Sequence, residues 1–132
     1  MFVDTSVFVA ILCKEPEAAG FAAKLEAVGR RFTSPLVRLE ACMVLATRLA
    51  RQPCDVEADF DEFLRIAAIE VVPIDDATAR EAVAAFQRYG KGRGASAQLN
   101  LADCMSYACA KVSGAAILFK GRDFSHTDLA LA

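Results

Sequence analysis

The acidic residues whose placement could support chemistry are Asp4, Glu40, Asp103 and Asp123. Asp4 ends a short apolar segment, and Asp123 follows the last apolar segment in a polar turn. Two carboxylates about 4 Å apart repel each other by roughly 4 kcal/mol at an effective dielectric of 20, so a cluster of four requires cations or protons to offset the repulsion. Hard divalent ions such as Mg²⁺ and Mn²⁺ prefer oxygen ligands of this kind.

Each acid also has an ordinary structural explanation. Asp4 can cap the helix that follows it, and Glu40 can point to solvent from a helix with mostly apolar neighbours. Asp103 suits the positive end of the helix dipole, and Asp123 suits a turn. Taken singly, these explanations stay open. A zinc site of the usual kind is disfavoured, because His126 is the only histidine and is expected in a surface turn.

The elements that would position these acids alternate between strand and helix. Strands are predicted at 1–4, 31–33, 69–74 and 115–119, and helices at 6–13, 15–29, 34–51, 55–68, 75–89 and 100–113. Asp75 or Asp76 caps the fifth helix, and residues 90–97 form a glycine-containing loop. Such alternation predicts an α/β fold with a parallel sheet between two layers of helices. Ligand-binding groups gather at the carboxyl ends of parallel strands, which is where these acids are predicted to lie.

The composition fits one soluble domain spanning residues 1–132. The chain is 55% hydrophobic and 24% charged, and no apolar run approaches the roughly 20 residues of a membrane span. The five cysteines form no C-x-x-C pair and are expected to be buried, reduced thiols of a cytoplasmic protein. A net charge of −2 gives no general attraction to nucleic acid, so any polyanion binding must come from local basic clusters.

Two basic clusters could attract the phosphates of a nucleic acid. Lys91 and Arg93 lie in a segment without acids, where Tyr89 could stack on a base, and Lys120 and Arg122 flank Asp123. Either cluster could equally be a solvated charged turn.

Several motifs together closely resemble PIN-domain proteins and, more narrowly, VapC-type toxins of bacterial type II toxin–antitoxin systems. They are Met1-Phe2-Val3-Asp4-Thr5-Ser6, Glu40 in the third helix, Leu99-Asn100-Leu101-Ala102-Asp103-Cys104, and Leu118-Phe119-Lys120-Gly121-Arg122-Asp123-Phe124 with Thr127-Asp128. The resemblance covers essentially the whole chain. It implies a PIN-like three-layer α/β/α fold with a central, mainly parallel sheet of four or five strands.

The same resemblance implies an endoribonuclease that depends on Mg²⁺ or Mn²⁺ and cleaves RNA with a metal-activated water. Asp4, Glu40, Asp103 and Asp123 would be its metal-binding and catalytic acids, with Asp128 as a fifth, outer acid and Thr5 and Ser6 as supporting hydroxyls. A cognate VapB-type antitoxin would inhibit the enzyme by covering an apolar groove and inserting a basic residue near the acids. The early helices would form a homodimer.

Other interpretations fit less well or remain open. A phospho-accepting receiver domain needs a strand-ending Asp near mid-chain, where residues 45–51 read as a helix. A haloacid-dehalogenase-like phosphatase needs a second Asp two residues after the first, where this chain has Ser6. A catalytically inactive PIN-like module that binds RNA or protein remains the alternative.

Overall fold

A computed structural model describes all residues of the chain, 1–132. The strands are β1 (Phe2–Val3), β2 (Arg31–Thr33), β3 (Ile69–Val71) and β4 (Ile117–Leu118). The helices are α1 (Thr5–Leu12), α2 (Ala18–Glu26), α3 (Pro35–Leu49), α4 (Pro53–Ile66), α5 (Asp76–Tyr89) and α6 (Leu101–Val112). All strand pairs are parallel, in the order β3-β2-β1-β4, and the helices complete the predicted three-layer α/β/α arrangement.

Local side-chain chemistry explains where most helices begin. The side chains of Asp4, Ser34, Asp75 and Asn100 each accept a hydrogen bond from a backbone N–H in the first turn of the helix that follows. For α5, this settles the open choice in favour of Asp75.

Two predicted helix starts were wrong. Helix α4 is preceded by Gln52 rather than capped by Asp55, because Pro53 has the backbone geometry of a first helical residue and Asp55 falls inside the first turn. Helix α2 begins at Ala18 rather than at residue 15, because Lys14 has a positive φ of 55° and the chain turns before the helix.

Strand β3 is shorter than predicted. The β-branched residues favoured a strand over 69–74, but β3 ends at Val71. Its partner β2 ends at Thr33, where Ser34 starts a helix, so only the Val72 N–H continues the pairing by donating to the Thr33 carbonyl. On the opposite edge, an isolated bridge joins Ile117 to Leu131.

The core is a single cluster in which aromatic side chains from β1, α1, β2 and α4 are fully buried. Phe8 and Phe60, for example, pack with ring centroids 4.7 Å apart. All five cysteines are free, as expected, but the prediction that all are buried was wrong for Cys54, which is exposed, and for Cys13, which is half-buried. None of the helices is both long and apolar enough to cross a membrane.

Candidate active site

Parallel strands deliver their carboxyl ends to one edge of the sheet, and a cleft of about 390 Å³ lies there. Asp4 enters it directly after β1, and Asp123 comes from the segment after β4. Glu40 projects from the second turn of α3, and Asp103 projects from the first turn of α6. The residues lining the cleft are Asp4, Thr5, Ser6, Val9, Glu15, Glu40, Val44, Arg48, Asp103, Lys120, Gly121 and Asp123.

Asp4 is 7% exposed and is held by Ser6. Its Oδ2 accepts hydrogen bonds from the Ser6 N–H at 3.0 Å and from the Ser6 hydroxyl at 2.7 Å. The same hydroxyl accepts a bond of 2.9 Å from the backbone N–H of Lys120. Ser6 therefore joins the residue after β1 to the segment after β4, and Asp4 is both a helix cap and part of the cleft wall.

Glu40 is positioned by Thr5. The Thr5 hydroxyl donates a 2.5 Å hydrogen bond to Glu40 Oε2, across 35 positions of sequence. Glu40 is half-buried, so the expectation of a plain solvent-facing acid does not describe it. Both hydroxyls that the resemblance placed beside the acids thus contact one of them.

Asp103 belongs to a capping box at the start of α6. Its Oδ2 accepts from the Asn100 N–H at 2.8 Å, while the Asp103 N–H donates to Asn100 Oδ1 at 3.0 Å. Burial raises the pKa of Asp103, the hydrogen bond from Asn100 opposes this, and the charges of Asp123, Asp4 and Glu40 add to the rise, so that the pKa reaches about 6. The capping explanation is correct but incomplete, because a cap alone would lower the pKa.

Asp123 lies at the exposed rim of the cleft and accepts no hydrogen bond within the chain. Gly121, two residues earlier, has a φ of 115°, a conformation that side chains rarely adopt. A β-carbon at Gly121 would stand 3.4 Å from Asp123 Oδ2. Glycine at this position lets the segment turn sharply and carry Asp123 back to the cleft.

Three of the four acids share a pattern of free oxygens. Asp4, Glu40 and Asp103 each use one carboxylate oxygen for hydrogen bonds within the chain and leave the other without a protein donor. Such a set of hard oxygen donors fits Mg²⁺ or Mn²⁺. No group of three or more metal-ligating side chains is gathered closely enough to hold an ion, an arrangement consistent with the repulsion between like charges.

One wall of the cleft is formed by the charged residues Glu15, Arg48 and Lys120, of which only Lys120 was predicted from the sequence. Glu15 and Arg48 line it beside Lys120, and Glu15 pairs with both cations. Glu15 was read only as the start of a helix, and Arg48 sits in the last turn of α3, where a basic residue is ordinary. No local signal in the sequence indicated that they meet.

The remaining predicted residues lie outside the cleft. Asp128 accepts hydrogen bonds of 2.6 Å from both the Tyr107 hydroxyl and Lys111 Nζ. In the loop closed by the Gly90–Leu99 bridge, Lys91 is exposed, and Arg93 stacks over the Phe86 ring at 5.0 Å. Arg122 and His126 are exposed in the segment after β4, so His126 is the surface turn residue that was expected.

Comparisons with known proteins cover nearly the whole chain. A family model for the PIN domain matches residues 1–129. Ribonuclease VapC30 of Mycobacterium tuberculosis is 44% identical over 130 residues, which cover 98% of this chain and 96% of that protein. A VapC ribonuclease of Rhizobium meliloti is 43% identical over 140 residues, covering 97% and 98% of the two chains.

Solved structures agree on the fold. VapC20 of M. tuberculosis, a toxin that cleaves the sarcin–ricin loop, matches with a TM-score of 0.77 at 17% identity, covering 99% of this chain and 97% of that one. A toxin–antitoxin complex from Klebsiella pneumoniae matches with a TM-score of 0.72 at 17% identity, covering 99% and 95%. The chain therefore belongs to the PIN-domain family and, within it, to the VapC ribonucleases.

Proposed function

We propose that this chain is the toxin of a VapBC toxin–antitoxin module and acts as an endoribonuclease that depends on Mg²⁺ or Mn²⁺. The observation that carries the proposal is the meeting of four acids, distant in sequence, in one cleft, where burial and the neighbouring negative charges raise the pKa of Asp103 to about 6. The similar proteins are named ribonucleases, and this supports RNA as the substrate.

Asp4, Glu40, Asp103 and Asp123 would hold the ion through their free oxygens. A bound ion of this kind makes water a better nucleophile at neutral pH and offsets negative charge on the phosphate. The chain's own contribution is orientation. One carboxylate oxygen of each of three acids accepts a hydrogen bond from Ser6, Thr5 or Asn100. These bonds fix the orientation of the carboxylate, and its other oxygen is left for the ion.

RNA would be attracted by basic residues, which are Lys120 inside the cleft, Arg122 on the exposed surface two positions later, and Lys91 and Arg93 in the exposed loop before α6. We also propose that a VapB-type antitoxin inhibits the chain and that the chain forms a homodimer. One solved structure with this fold is a toxin–antitoxin complex, and another, from Rickettsia felis, is VapBC2 bound to promoter DNA.

The test compares the wild type with Asp4→Asn and with Asp76→Asn. Asparagine at position 4 can still cap α1, so the fold should survive while one negative ligand is lost. Asp76→Asn makes the same chemical change on the exposed surface of α5. After inducible expression, we expect growth arrest and RNA breakdown with the wild type and Asp76→Asn, but not with Asp4→Asn.

The purified proteins should behave in parallel. Cleavage of RNA by the wild type should require added Mg²⁺ or Mn²⁺ and stop with EDTA. Equal toxicity of Asp4→Asn and the wild type would contradict a metal-dependent nuclease and favour the catalytically inactive PIN-like module that binds RNA or protein.

A further inference from the structure

Glu15 bridges two cations inside the cleft. Its Oε1 accepts from Arg48 at 2.5 Å, and its Oε2 accepts from Lys120 Nζ at 2.7 Å. The Glu15 side chain is only 20% exposed, whereas those of Arg48 and Lys120 are 52% and 38% exposed. One carboxylate thus satisfies two cations that remain open to solvent on the cleft side.

The three residues come from separate parts of the chain. Glu15 lies between α1 and α2, Arg48 lies in the last turn of α3, and Lys120 is the second residue after β4. The backbone N–H of Lys120 donates to Ser6, whose hydroxyl donates to Asp4. The cationic wall is therefore connected to a catalytic acid through a single side chain, which holds the two at a defined separation.

The two cations around Glu15 are arranged as a binding site for a phosphodiester would be. Two cationic donors converge on the two oxygens of one anion, and a phosphodiester offers two non-bridging oxygens in the same way. Arginine and lysine are the usual phosphate-binding side chains, and a charge-assisted bond to phosphate is about as strong as one to carboxylate. With Glu17 also bonded to Lys120 at 3.1 Å, two acids neutralise the two cations in this structure.

We propose that Arg48 and Lys120 form a phosphate-binding subsite for the RNA strand and that the Glu15 carboxylate occupies this subsite when RNA is absent. This inference rests on the proposed function. When RNA enters, one of its phosphates replaces Glu15 between the two cations. Glu15 thereby lowers the affinity for RNA, and the subsite fixes the strand relative to the acids on the other side of the cleft.

The experiment measures the binding of a short fluorescent single-stranded RNA by anisotropy, in EDTA so that no cleavage occurs, across a series of salt concentrations. Arg48→Gln and Lys120→Gln should each weaken binding about tenfold, since each removes a charge-assisted hydrogen bond to phosphate. Each should also make the slope of log K against log salt shallower by about 0.7. Arg65→Gln, an equal change of charge in an ion pair on α4, is the matched control and should bind like the wild type.

Glu15→Gln keeps the shape of the side chain and removes its charge. It should bind RNA several-fold more tightly than the wild type, while Glu62→Gln, which removes an exposed acid from α4, should not. The decisive comparison is the double-mutant cycle. In the Arg48→Gln, Lys120→Gln background, Glu15→Gln should no longer tighten binding, because the subsite that Glu15 occupies is gone.

The opposing results are distinct. Weaker RNA binding by Glu15→Gln would mean that Glu15 holds Arg48 and Lys120 in place for RNA rather than competing with an RNA phosphate for them. If Glu15→Gln tightened RNA binding equally in the wild-type and the Arg48→Gln, Lys120→Gln backgrounds, its effect would come only from the lower net negative charge of the protein. Either result, or cation variants that bind like Arg65→Gln, would overturn the subsite while leaving RNA cleavage intact. A wild type that neither binds nor cleaves RNA would instead contradict the proposed function.

Discussion

Two aspartates of this chain have pKa values displaced in opposite directions. Burial, reinforced by the charges of Asp123, Asp4 and Glu40, raises the pKa of Asp103 to about 6. Hydrogen bonds from Lys111 and Tyr107 lower the pKa of Asp128 to about 2. The cleft gathers acids around Asp103, while the surroundings of Asp128 supply partners that favour its charged form.

The difference separates two roles for the same residue type. Asp128 ties the C-terminal segment to α6, and Arg88 of α5 lies 3.9 Å from its Oδ2. Its charge is already balanced within the fold. The four cleft acids are not balanced, so their electrostatic cost is offset only when a cation or proton joins them. The unbalanced region is where a hard metal ion would contribute most.

The largest expected effect is on RNA cleavage. Asp123→Asn should lower the cleavage rate at least about 100-fold, since even residues that only support metal ligands cost 10–100-fold when changed. Asp123 accepts no hydrogen bond within the chain, so the fold should be unaffected. The measurement is the single-turnover rate at saturating Mg²⁺, with circular dichroism to verify folding.

Asp128→Asn is the matched control for that experiment, and it should cleave RNA at nearly the wild-type rate. A loss with Asp128→Asn as large as with Asp123→Asn would remove the distinction between the two regions. It would restore Asp128 as the outer acid that the family resemblance implied.

The second effect is on stability without metal. The raised pKa of Asp103 means that its ionised form is disfavoured in the folded state, so this residue costs stability once the pH rises above about 4, and the cost is complete above about 6. Asp103→Asn keeps an oxygen for the Asn100 N–H and removes the charge. It should therefore stabilise the chain at pH 7.5 by up to about 3 kcal/mol, at roughly 1.4 kcal/mol per pKa unit.

Urea unfolding in EDTA at several pH values would measure this gain. The advantage of Asp103→Asn should shrink toward zero as the pH falls to 4. A variant that is less stable than the wild type at neutral pH would show that the capping box contributes more to stability at Asp103 than the burial and repulsion of its charge cost.

A third, slightly smaller effect concerns the metal itself. An ion that binds only the folded chain stabilises it by about 2.7 kcal/mol at a concentration 100 times its Kd. Mg²⁺ should therefore raise the Tm of the wild type and of Asp128→Asn, and raise that of Asp103→Asn much less. An equal rise in all three proteins would place the binding of Mg²⁺ outside the cleft.

The sequence was sufficient for those features that depend on local chemistry. Ser34 and Asn100 cap their helices as predicted, because a capping side chain bonds to residues only three positions away. Asp4 was correctly located at the carboxyl end of β1, and the parallel sheet then brings it to the same edge as the segment that follows β4. Strand order and handedness leave few other arrangements, so this part of the cleft followed from topology.

Contacts between distant positions were not predictable in the same way. Glu15 pairs with Lys120 across 105 positions, and Asp128 pairs with Tyr107 across 21. In the sequence, Glu15 and Asp128 are both acids in polar segments, and the residues next to them do not indicate which cations they will pair with. Packing of whole elements decides that, and it also gives Asp128 its partners Tyr107 and Lys111.

The smallest expected effect is on the stability supplied by Asp128. Its pKa is lowered, so its contribution is present above about pH 4 and is lost as the pH falls toward 2. Because the side chain is 44% exposed, solvent screens the ion pair with Lys111, and Asp128→Asn should cost only about 1 kcal/mol at pH 7. Unfolding in urea should show this difference at neutral pH and its disappearance near pH 2, the reverse of the trend for Asp103→Asn.

Tyr107→Phe removes one of the two hydrogen bonds to Asp128 and keeps its charge, so it should lose part of this stability without changing the direction of the pH dependence. If Asp128→Asn instead stabilised the chain at pH 7, the carboxyl group would be as poorly compensated as that of Asp103, and the contrast between the two regions would fail.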